Sequence, residues 1–437
     1  MLYNHVTELI GNTPLLRLDP QVHGIPGLEL YAKLEYLNPF GSVKDRIAWG
    51  MIRDHVTDLV AGRKTLIEAS SGNTAKALQV LASVHGLDLK VLTNRVKVGE
   101  VRDVLLLLGT DLEELPGLSE CPDPTVPNDV FSTIATIIAS EPGRYFHTSQ
   151  YTNPDNVTTH QDTTGREIAA DIGGIDLLVG GLGTTGSTRG TATQLKMLNP
   201  AMQTIGVVST TEDFIPGIRS EAEMWEVGLF EPGFYDQIVA IRSTEAIDAT
   251  LDLVRHHGLL VGPTSGAAYA ALREHLRCNP IPEGAGCSAV MIVCDRIEWY
   301  LSYLRSRRPE LFGQKPRARP ADLTEAEVAS APVVRVDELT SWLGDPDVVR
   351  VDTRGAMAYR IGHVPGAINL RDDLLEDLLT QGSPFPASSR LVFICPIGEY
   401  SRRIAAFLTQ RGHRAYSLDG GIVAWRDAGH ALETGTR

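Results

Sequence analysis

Between residues 28 and 300, short apolar runs alternate with stretches whose apolar positions recur every three or four residues. The runs KTLIEA (64–69), LKVLTN (89–94), IDLLVG (175–180), TIGVVS (204–209) and AVMIVCD (289–295) are dense enough to be strands covered on both faces. The stretches between them read as amphipathic helices, one announced by Ile47, Met51, Ile52, Val56 and Leu59. Such alternation predicts an α/β domain with a largely parallel sheet. A shorter α/β pattern follows in VVRVDEL (333–339), VVRVDTR (348–354), LVFICP (391–396) and a helix from Ser401 to Arg411. Residues 307–332 are punctuated by prolines and lack sustained periodicity, which reads as a linker. The expected division is 1–310, a linker at 311–332, and 333–437. The TVPN stretch within 122–128 is expected to be a surface loop.

A chain of 437 residues is too long for one ordinary core, which agrees with two domains. Its 43% hydrophobic and 22% charged residues are those of a globular protein. The net charge of -14 argues against a general nucleic-acid binder and suits an enzyme of small molecules. The start, MLYNHVTELIGNTPLL, has no basic segment followed by an apolar run, and no stretch nears the ~18 apolar residues of a membrane span. Cys121, Cys278, Cys287, Cys294 and Cys395 are odd in number and form no CxxC pair, so a reducing, cytoplasmic compartment is expected. No metal is expected, because no HExxH, zinc spacing or calcium loop occurs. His256-His257 reads as solvated helix.

The chemistry concentrates at strand-to-helix junctions. NPFGSVKDR (38–46) places Lys44 at the start of a helix, the end where the dipole opposes an ammonium. That suits a lysine meant to lose its charge and act as a nucleophile. EASSGNTAKAL (68–78) offers hydroxyls and N–H groups at a helix start, a cradle for a carboxylate. GGLGTTGSTRG (180–190) contains Gly181-x-Gly183-x-x-Gly186, formally a dinucleotide fingerprint. The next strand, however, ends in Ser209, Thr210 and Thr211, with the first acid at Glu212, and the motif lies mid-chain. A monophosphate held by glycine N–H groups, Thr184, Thr185 and Ser187 is the better reading. A third small-residue turn, VGPTSGAAYAAL (261–272), completes the set. A Schiff-base lysine, a phosphate cup and polar turns for a carboxylate describe a pyridoxal phosphate site.

These motifs, with the opening ELIGNTPLLRL, resemble the fold-type II pyridoxal phosphate enzymes of the cysteine synthase group, including cystathionine β-synthase, over residues 3–305. The resemblance implies two parallel-sheet subdomains and a homodimer. It makes Lys44 the Schiff-base lysine and proton carrier. It puts the substrate carboxylate on Ser70, Ser71, Asn73, Thr74 and Gln150, with Asn73 also facing the cofactor's 3′ oxygen. Gly183, Thr184, Thr185, Gly186 and Ser187 match the phosphate loop, and Ser265 the hydroxyl at the pyridine nitrogen. A hydroxyl there makes the ring a modest electron sink, which favours β-elimination to an aminoacrylate that a nucleophile such as sulfide then attacks. Ala75 replaces a common glycine, and CDRIEWYL (294–301) lacks the usual glycine after the last strand. Arg219, in FIPGIRSEAEMWEVGLF, matches the arginine of the O-phosphoserine-using members.

VDTRGAMAYRIGHVPGAINL (351–370), CPIGEYSRRIAAFL (395–408) and LDGGIVAWRDAG (418–429) resemble the rhodanese family, a small α/β domain, over residues 333–432. Cys395 precedes a helix start, where N–H groups favour a thiolate, and the resemblance implies a persulfide on it. Asp352, Arg354 and His363 read as structural. Pro396 and Tyr400 stand where family members often carry arginine, and Glu399 adds a negative charge, so a persulfide is a better donor than thiosulfate. Cys121, Cys278, Cys287 and Cys294 read as ordinary loop or core residues, with Cys294 buried.

The combined expectation is β-replacement on O-phosphoserine or O-acetylserine, with Cys395 relaying sulfur from a small-molecule donor or a sulfur-carrier protein. The same residues also allow the reverse flow, cysteine desulfuration onto Cys395. A nitrogen nucleophile, a rhodanese-like domain kept for docking and a non-catalytic metabolite-binding scaffold complete the alternatives.

Overall fold

The computed structural model describes residues 2–93, 98–115, 130–211, 213–314, 320–386 and 388–435. Cys121, the TVPN loop and residues 315–319 of the expected linker lie outside them. The chain forms two compact units, one from the described residues of 2–113 and 130–313, the other from those after 313.

The first unit has ten strands: β1 (Leu15–Arg17), β2 (Leu28–Leu34), β3 (Thr65–Ala69), β4 (Asp88–Thr93), β5 (Asp111–Glu114), β6 (Tyr145–His147), β7 (Leu177–Gly181), β8 (Gln203–Ser209), β9 (Gln237–Ile241) and β10 (Cys287–Val293). Six make a sheet in the order β1-β2-β10-β7-β8-β9, parallel except for the β1–β2 pair. Four make a second sheet, β5-β4-β3-β6, in which β3 runs parallel to β4 and β6. The dense apolar runs place Leu30, Val179, Ile205 and Met291 in one core and Leu66, Leu78, Leu81 and Val91 in another. Parallel strands end together, so the loops after β3, β7 and β10 gather at their carboxyl edges, where ligands of such sheets bind.

Two expectations about local structure change. The helix from Lys44 breaks into Lys44–Ile52 and Val56–Ala61, and the turn between them lets Leu59 join Ile52 and Leu66 in one core. VVRVDEL is a strand only at Val333–Val334; Asp337 and Glu338 then occupy the first turn of a helix, Val336–Ser341, where acids suit the dipole.

The second unit is a five-stranded sheet of β11 (Val333–Val334), β12 (Val348–Asp352), β13 (Ile368–Asn369), β14 (Arg390–Ile394) and β15 (Arg414–Leu418), in the order β11-β15-β14-β12-β13 with every pair parallel. The helix Glu399–Thr409 covers it with Ile404, Phe407 and Leu408. Part of the expected linker is ordered into this unit. Thr324 and Glu327 form a capping box on the helix Glu325–Ala329, while Leu323 and Ala331 pack on the core.

Candidate active site

Lys44 opens its helix, and its neighbours are tied in place. Val43 N–H donates to the Cys294 carbonyl (2.8 Å), and Asp45 accepts from Phe40 N–H (2.6 Å) and Ser42 Oγ (3.2 Å). Arg46 is buried between Glu35 (2.6 Å) and Glu167 (2.6 Å), and Lys33 also pairs with Glu167 (2.7 Å). Half-buried Lys44 itself has its ammonium pushed down by burial, against the opposing pull of Cys294 and Asp295. His160, buried nearby, is pushed well below its usual value by burial, Arg46 and Lys44.

The loop after β3 leads into the helix Asn73–His85. Ser70 is buried, and its Oγ accepts the Ala75 N–H (3.2 Å), whereas Ser71 is exposed. Thr74 Oγ1 donates to Gln150 Oε1 (2.7 Å), and Gln150 Nε2 donates to the Ala69 carbonyl (2.7 Å). Ser70, Asn73, Thr74 and Gln150 therefore share one edge, with Ser71 on its solvent side. Glu68, buried at the end of β3, anchors this edge by accepting Gln150 N–H (3.0 Å), Ala69 N–H (2.8 Å) and Thr148 Oγ1. Burial pushes its carboxyl up to about 7. Ser149, between two of these donors, holds a left-handed φ of 55°.

The loop after β7 turns into the helix Gly186–Lys196. Thr185 sits at φ 67°, costly for a β-branched residue and typical of strain kept at a functional turn. Among the described residues, the N–H groups of Gly183, Thr184, Thr185, Gly186, Ser187 and Thr188 find no acceptor. Six free donors at a helix N-terminus form a cup for a phosphate. Asn156 joins this cup to the carboxylate edge, its Nδ2 donating to the Gln150 carbonyl (2.7 Å) and Thr184 Oγ1 (2.9 Å).

The third turn brings in Ser265, fully buried, whose Oγ accepts the Cys294 N–H (3.1 Å). With that lone pair engaged, its own O–H is left to donate. Cys294 is half-buried beside Lys44 rather than wholly buried, because it follows the last residue of β10. Burial pushes its thiol up to about 12, so it stays protonated and does not compete as a nucleophile. Arg219 N–H donates to the Leu182 carbonyl (2.8 Å) just before the phosphate loop, and its guanidinium lies 5.1 Å from the Tyr151 ring centre, next to Gln150.

In the second unit, Cys395 lies between β14 and the helix Glu399–Thr409 and has no exposed surface. Its Sγ accepts from Gly398 N–H (3.1 Å), Ser401 N–H (3.4 Å) and Ser401 Oγ (3.2 Å). Arg402 reaches Asp419 (3.0 Å) and Arg403 reaches Glu325 (3.2 Å). Asp352 and Arg354 form a buried pair (2.7 Å), and His363 Nδ1 lies 2.8 Å from the Tyr359 carbonyl oxygen. Among the described residues there is no cluster of three His, Cys, Asp or Glu side chains fit for a metal, and no helix long and apolar enough to cross a membrane.

Asn156, Glu68 and Asp295 were not singled out in the sequence. Asn156 lies six residues after Gln150, in TSQYTNPDN (148–156), and Asp295 sits inside CDRIEWYL, but no spacing distinguishes them from surface residues.

The first unit thus combines a half-buried lysine, a phosphate cup and a buried hydroxyl donor, and the partnerless Asn73 Oδ1 adds an acceptor. This set fits pyridoxal phosphate, and the chain belongs to the pyridoxal-phosphate dependent enzyme family, whose model matches residues 6–295. Residues 335–428 match the rhodanese-like domain. The chain is 34% identical to cysteine synthase B of Pseudomonas aeruginosa over 305 residues, 69% of this chain and 96% of that one. It superposes on the O-acetylserine-dependent cystathionine β-synthase of Helicobacter pylori with a TM-score of 0.59 and 31% identity, covering 69% of this chain and 98% of that one. The cysteine synthase of Entamoeba histolytica gives a TM-score of 0.60 at 28% identity, covering 73% and 93%. The first unit is therefore a cysteine synthase-like enzyme of pyridoxal phosphate-dependent β-replacement.

Proposed function

We propose that the first unit replaces the β-substituent of an activated serine, O-phosphoserine in preference to O-acetylserine, and that Cys395 supplies the sulfur. The product is cysteine or a related sulfur-bearing amino acid. The observation that carries the substrate choice is Arg219, whose backbone hangs on Leu182 at the phosphate loop and whose cation stacks on Tyr151 beside Gln150. A guanidinium there suits a departing phosphate dianion better than acetate.

Pyridoxal phosphate, when bound, supplies the electron sink that acidifies the substrate's Cα–H bond. The residues Gly183–Ser187 hold its phosphate, and the Ser265 hydroxyl donates to its ring nitrogen. Ser70, Ser71, Thr74 and Gln150 receive the substrate carboxylate, with Asn73 beside them. Lys44 holds the cofactor, then takes and returns the proton at Cα; burial favours the neutral amine this requires.

On Cys395, the two N–H groups and the Ser401 hydroxyl suit an anionic sulfur. Arg402 and Arg403 are engaged by carboxylates, which favours a persulfide donor, small or carrier-bound, over thiosulfate. Releasing the terminal sulfur as hydrosulfide takes a thiol reductant, which ends as a disulfide. A docking role for the second unit is favoured by one observation, the complete burial of Cys395.

The test mixes the reconstituted protein rapidly with O-phosphoserine, O-acetylserine or cysteine and follows cofactor absorbance. The proposal expects the fastest response with O-phosphoserine, slowed at least tenfold in Arg219→Ala, and no turnover in Lys44→Ala. A response to cysteine alone, with sulfur appearing on Cys395, supports desulfuration instead. Equal turnover from a persulfide donor in wild type and Cys395→Ser supports docking.

A further inference from the structure

The segment from Arg219 to Leu229 is tied at both ends to the two halves of the site. At its start, Arg219 N–H donates to the Leu182 carbonyl (2.8 Å), and the Arg219 carbonyl accepts the N–H of Ser209 (3.0 Å), the last residue of β8. At its close, the Leu229 carbonyl accepts from Thr185 Oγ1 (3.2 Å) and from Arg189, both at the phosphate-cup helix. Leu229 N–H donates to the carbonyl of Tyr151 (2.9 Å), the residue after Gln150. The two chains come this close because residue 228 is glycine; a Cβ there would stand 2.7 Å from Thr152 Cγ2.

Tyr151 thus meets the segment twice, by its carbonyl at Leu229 and by its ring at Arg219, whose guanidinium stands 5.1 Å from the ring centre. The ring is itself held, with Phe131 packed against it at nearly a right angle (ring centres 5.3 Å apart, 85°). Its backbone is fixed by a turn in which Thr152 and Asn153 N–H both donate to the Ser149 carbonyl (2.9 and 2.8 Å). An aromatic face attracts a cation through its quadrupole. Unlike a carboxylate, it neither neutralises the charge nor takes up the N–H donors. A ring can therefore aim a guanidinium and still leave it able to bind an anion.

We propose that Tyr151 is a positioning residue that sets the preference for a phosphate leaving group, by holding the Arg219 guanidinium against the carboxylate edge. This rests on the reading of Arg219 as the residue that meets the departing phosphate. Tyr151 acts on the leaving group through Arg219 alone, and its place beside Gln150 fixes the arginine relative to the bound amino acid.

The experiment mixes the reconstituted full chain rapidly with O-phosphoserine or O-acetylserine and reads the concentration-dependent rate of cofactor absorbance change, which needs no sulfur donor. The quantity compared is the ratio of the two second-order rates. Both substrates carry the same carboxylate and amine, so damage to the fold or to the carboxylate edge cancels in the ratio. Tyr151→Leu should lower the O-phosphoserine to O-acetylserine ratio about three- to tenfold, the worth of one cation–π contact. Tyr151→Phe keeps the face and should hold the ratio within about twofold. In the Arg219→Ala background, Tyr151→Leu should leave the ratio where Arg219→Ala alone puts it. Tyr151→Met, which fills similar space without a face, repeats the test if the leucine variant does not fold.

Both rates falling equally in Tyr151→Leu, with the ratio unmoved, would mean that Tyr151 only supports the carboxylate edge, and it overturns the proposal. A ratio as low in Tyr151→Phe as in Tyr151→Leu would assign the effect to the hydroxyl and overturns it too. A wild type without preference for O-phosphoserine, or a preference that survives Arg219→Ala, refutes the reading of Arg219 itself, and this inference falls with it.

Discussion

Adding one methyl group at Gly186 should uncouple the phosphate cup from the carboxylate edge. A Cβ on Gly186 would stand 1.9 Å from Asn156 Oδ1 and 2.5 Å from Asn156 Cγ, well inside contact distance. Asn156 is fully buried, and its Nδ2 holds both the Gln150 carbonyl and Thr184 Oγ1. Two responses are open to the chain. If Asn156 rotates away, two buried hydrogen bonds go, at about 1 kcal/mol each and more where an acceptor is left unpaired. If the backbone of Gly186 retreats, the N–H groups of Gly186 and Ser187 leave the phosphate, and overpacking of this kind costs about 1–3 kcal/mol. Either way roughly 2–3 kcal/mol is lost, which corresponds to about 30- to 150-fold weaker cofactor binding. Equilibrium titration of apo Gly186→Ala with pyridoxal phosphate reads this directly, and apo Tm separates loss of fold from loss of cup. An affinity within about twofold of wild type, with unchanged Tm, would refute the reasoning, since a 1.9 Å approach has no cost-free resolution.

Replacing Arg46 with Met leaves Glu35 buried with only Thr13 and Asn38 as donors, and should cost about 3–5 kcal/mol in denaturant unfolding, whereas Glu35→Gln with Arg46 intact should cost less. Glu167 is held at about 2 against burial by Arg46 and Lys33. Its contribution, about 3 kcal/mol by linkage, is present above pH 4.5 and lost as pH falls toward 2, so Glu167→Gln should flatten the acid limb of Tm against pH. Glu68, raised to about 7 by burial, works in the opposite direction. Its contribution is full below pH 4.5 and lost as pH rises through 7, and Asp45 is raised to about 7 with the same sign. Asp295 is raised by burial as well, so Glu68→Gln should remove part of the decline in stability between pH 4.5 and 7; an unchanged slope would show that Glu68 does not titrate there.

What could be read from the chain was whatever is local. The runs KTLIEA, IDLLVG and AVMIVCD appear as β3, β7 and β10 because dense apolar stretches have few other ways to be buried. Short apolar stretches misled where helix and strand signals overlap, as at VVRVDEL, and the capping box TEAE was masked by the prolines around it. The ties that hold the site together were not readable for a different reason. Arg46 meets Glu167 across 121 positions, and Asn73 meets Asp295 across 222. In NPFGSVKDR, Arg46 has the look of an exposed charge in the first turn of a helix. Nothing in the period of a helix records that its partner is a carboxylate on a distant element.

Those long-range ties also account for a lysine at the unfavourable end of a helix. Ser42, Val43, Asp45 and Arg46 are each fixed, to Asp295, Cys294, Phe40 and the Glu35–Glu167 pair respectively. Only the residue between them keeps a side chain whose ammonium has no hydrogen-bond acceptor among the described residues. The backbone of Lys44 is thus immobilised from both sides, while its amine is left for the role proposed above. A single strong ion pair at Lys44 would have held the charge and the position together; with Arg46 as anchor, burial lowers the amine of Lys44, the proposed reagent, without loosening the helix. On this argument Arg46→Lys, which keeps the charge but cannot span both carboxylates with a planar fork, should impair Lys44 chemistry more than it impairs stability. Turnover falling in strict proportion to folded protein would show that the anchor serves the fold alone.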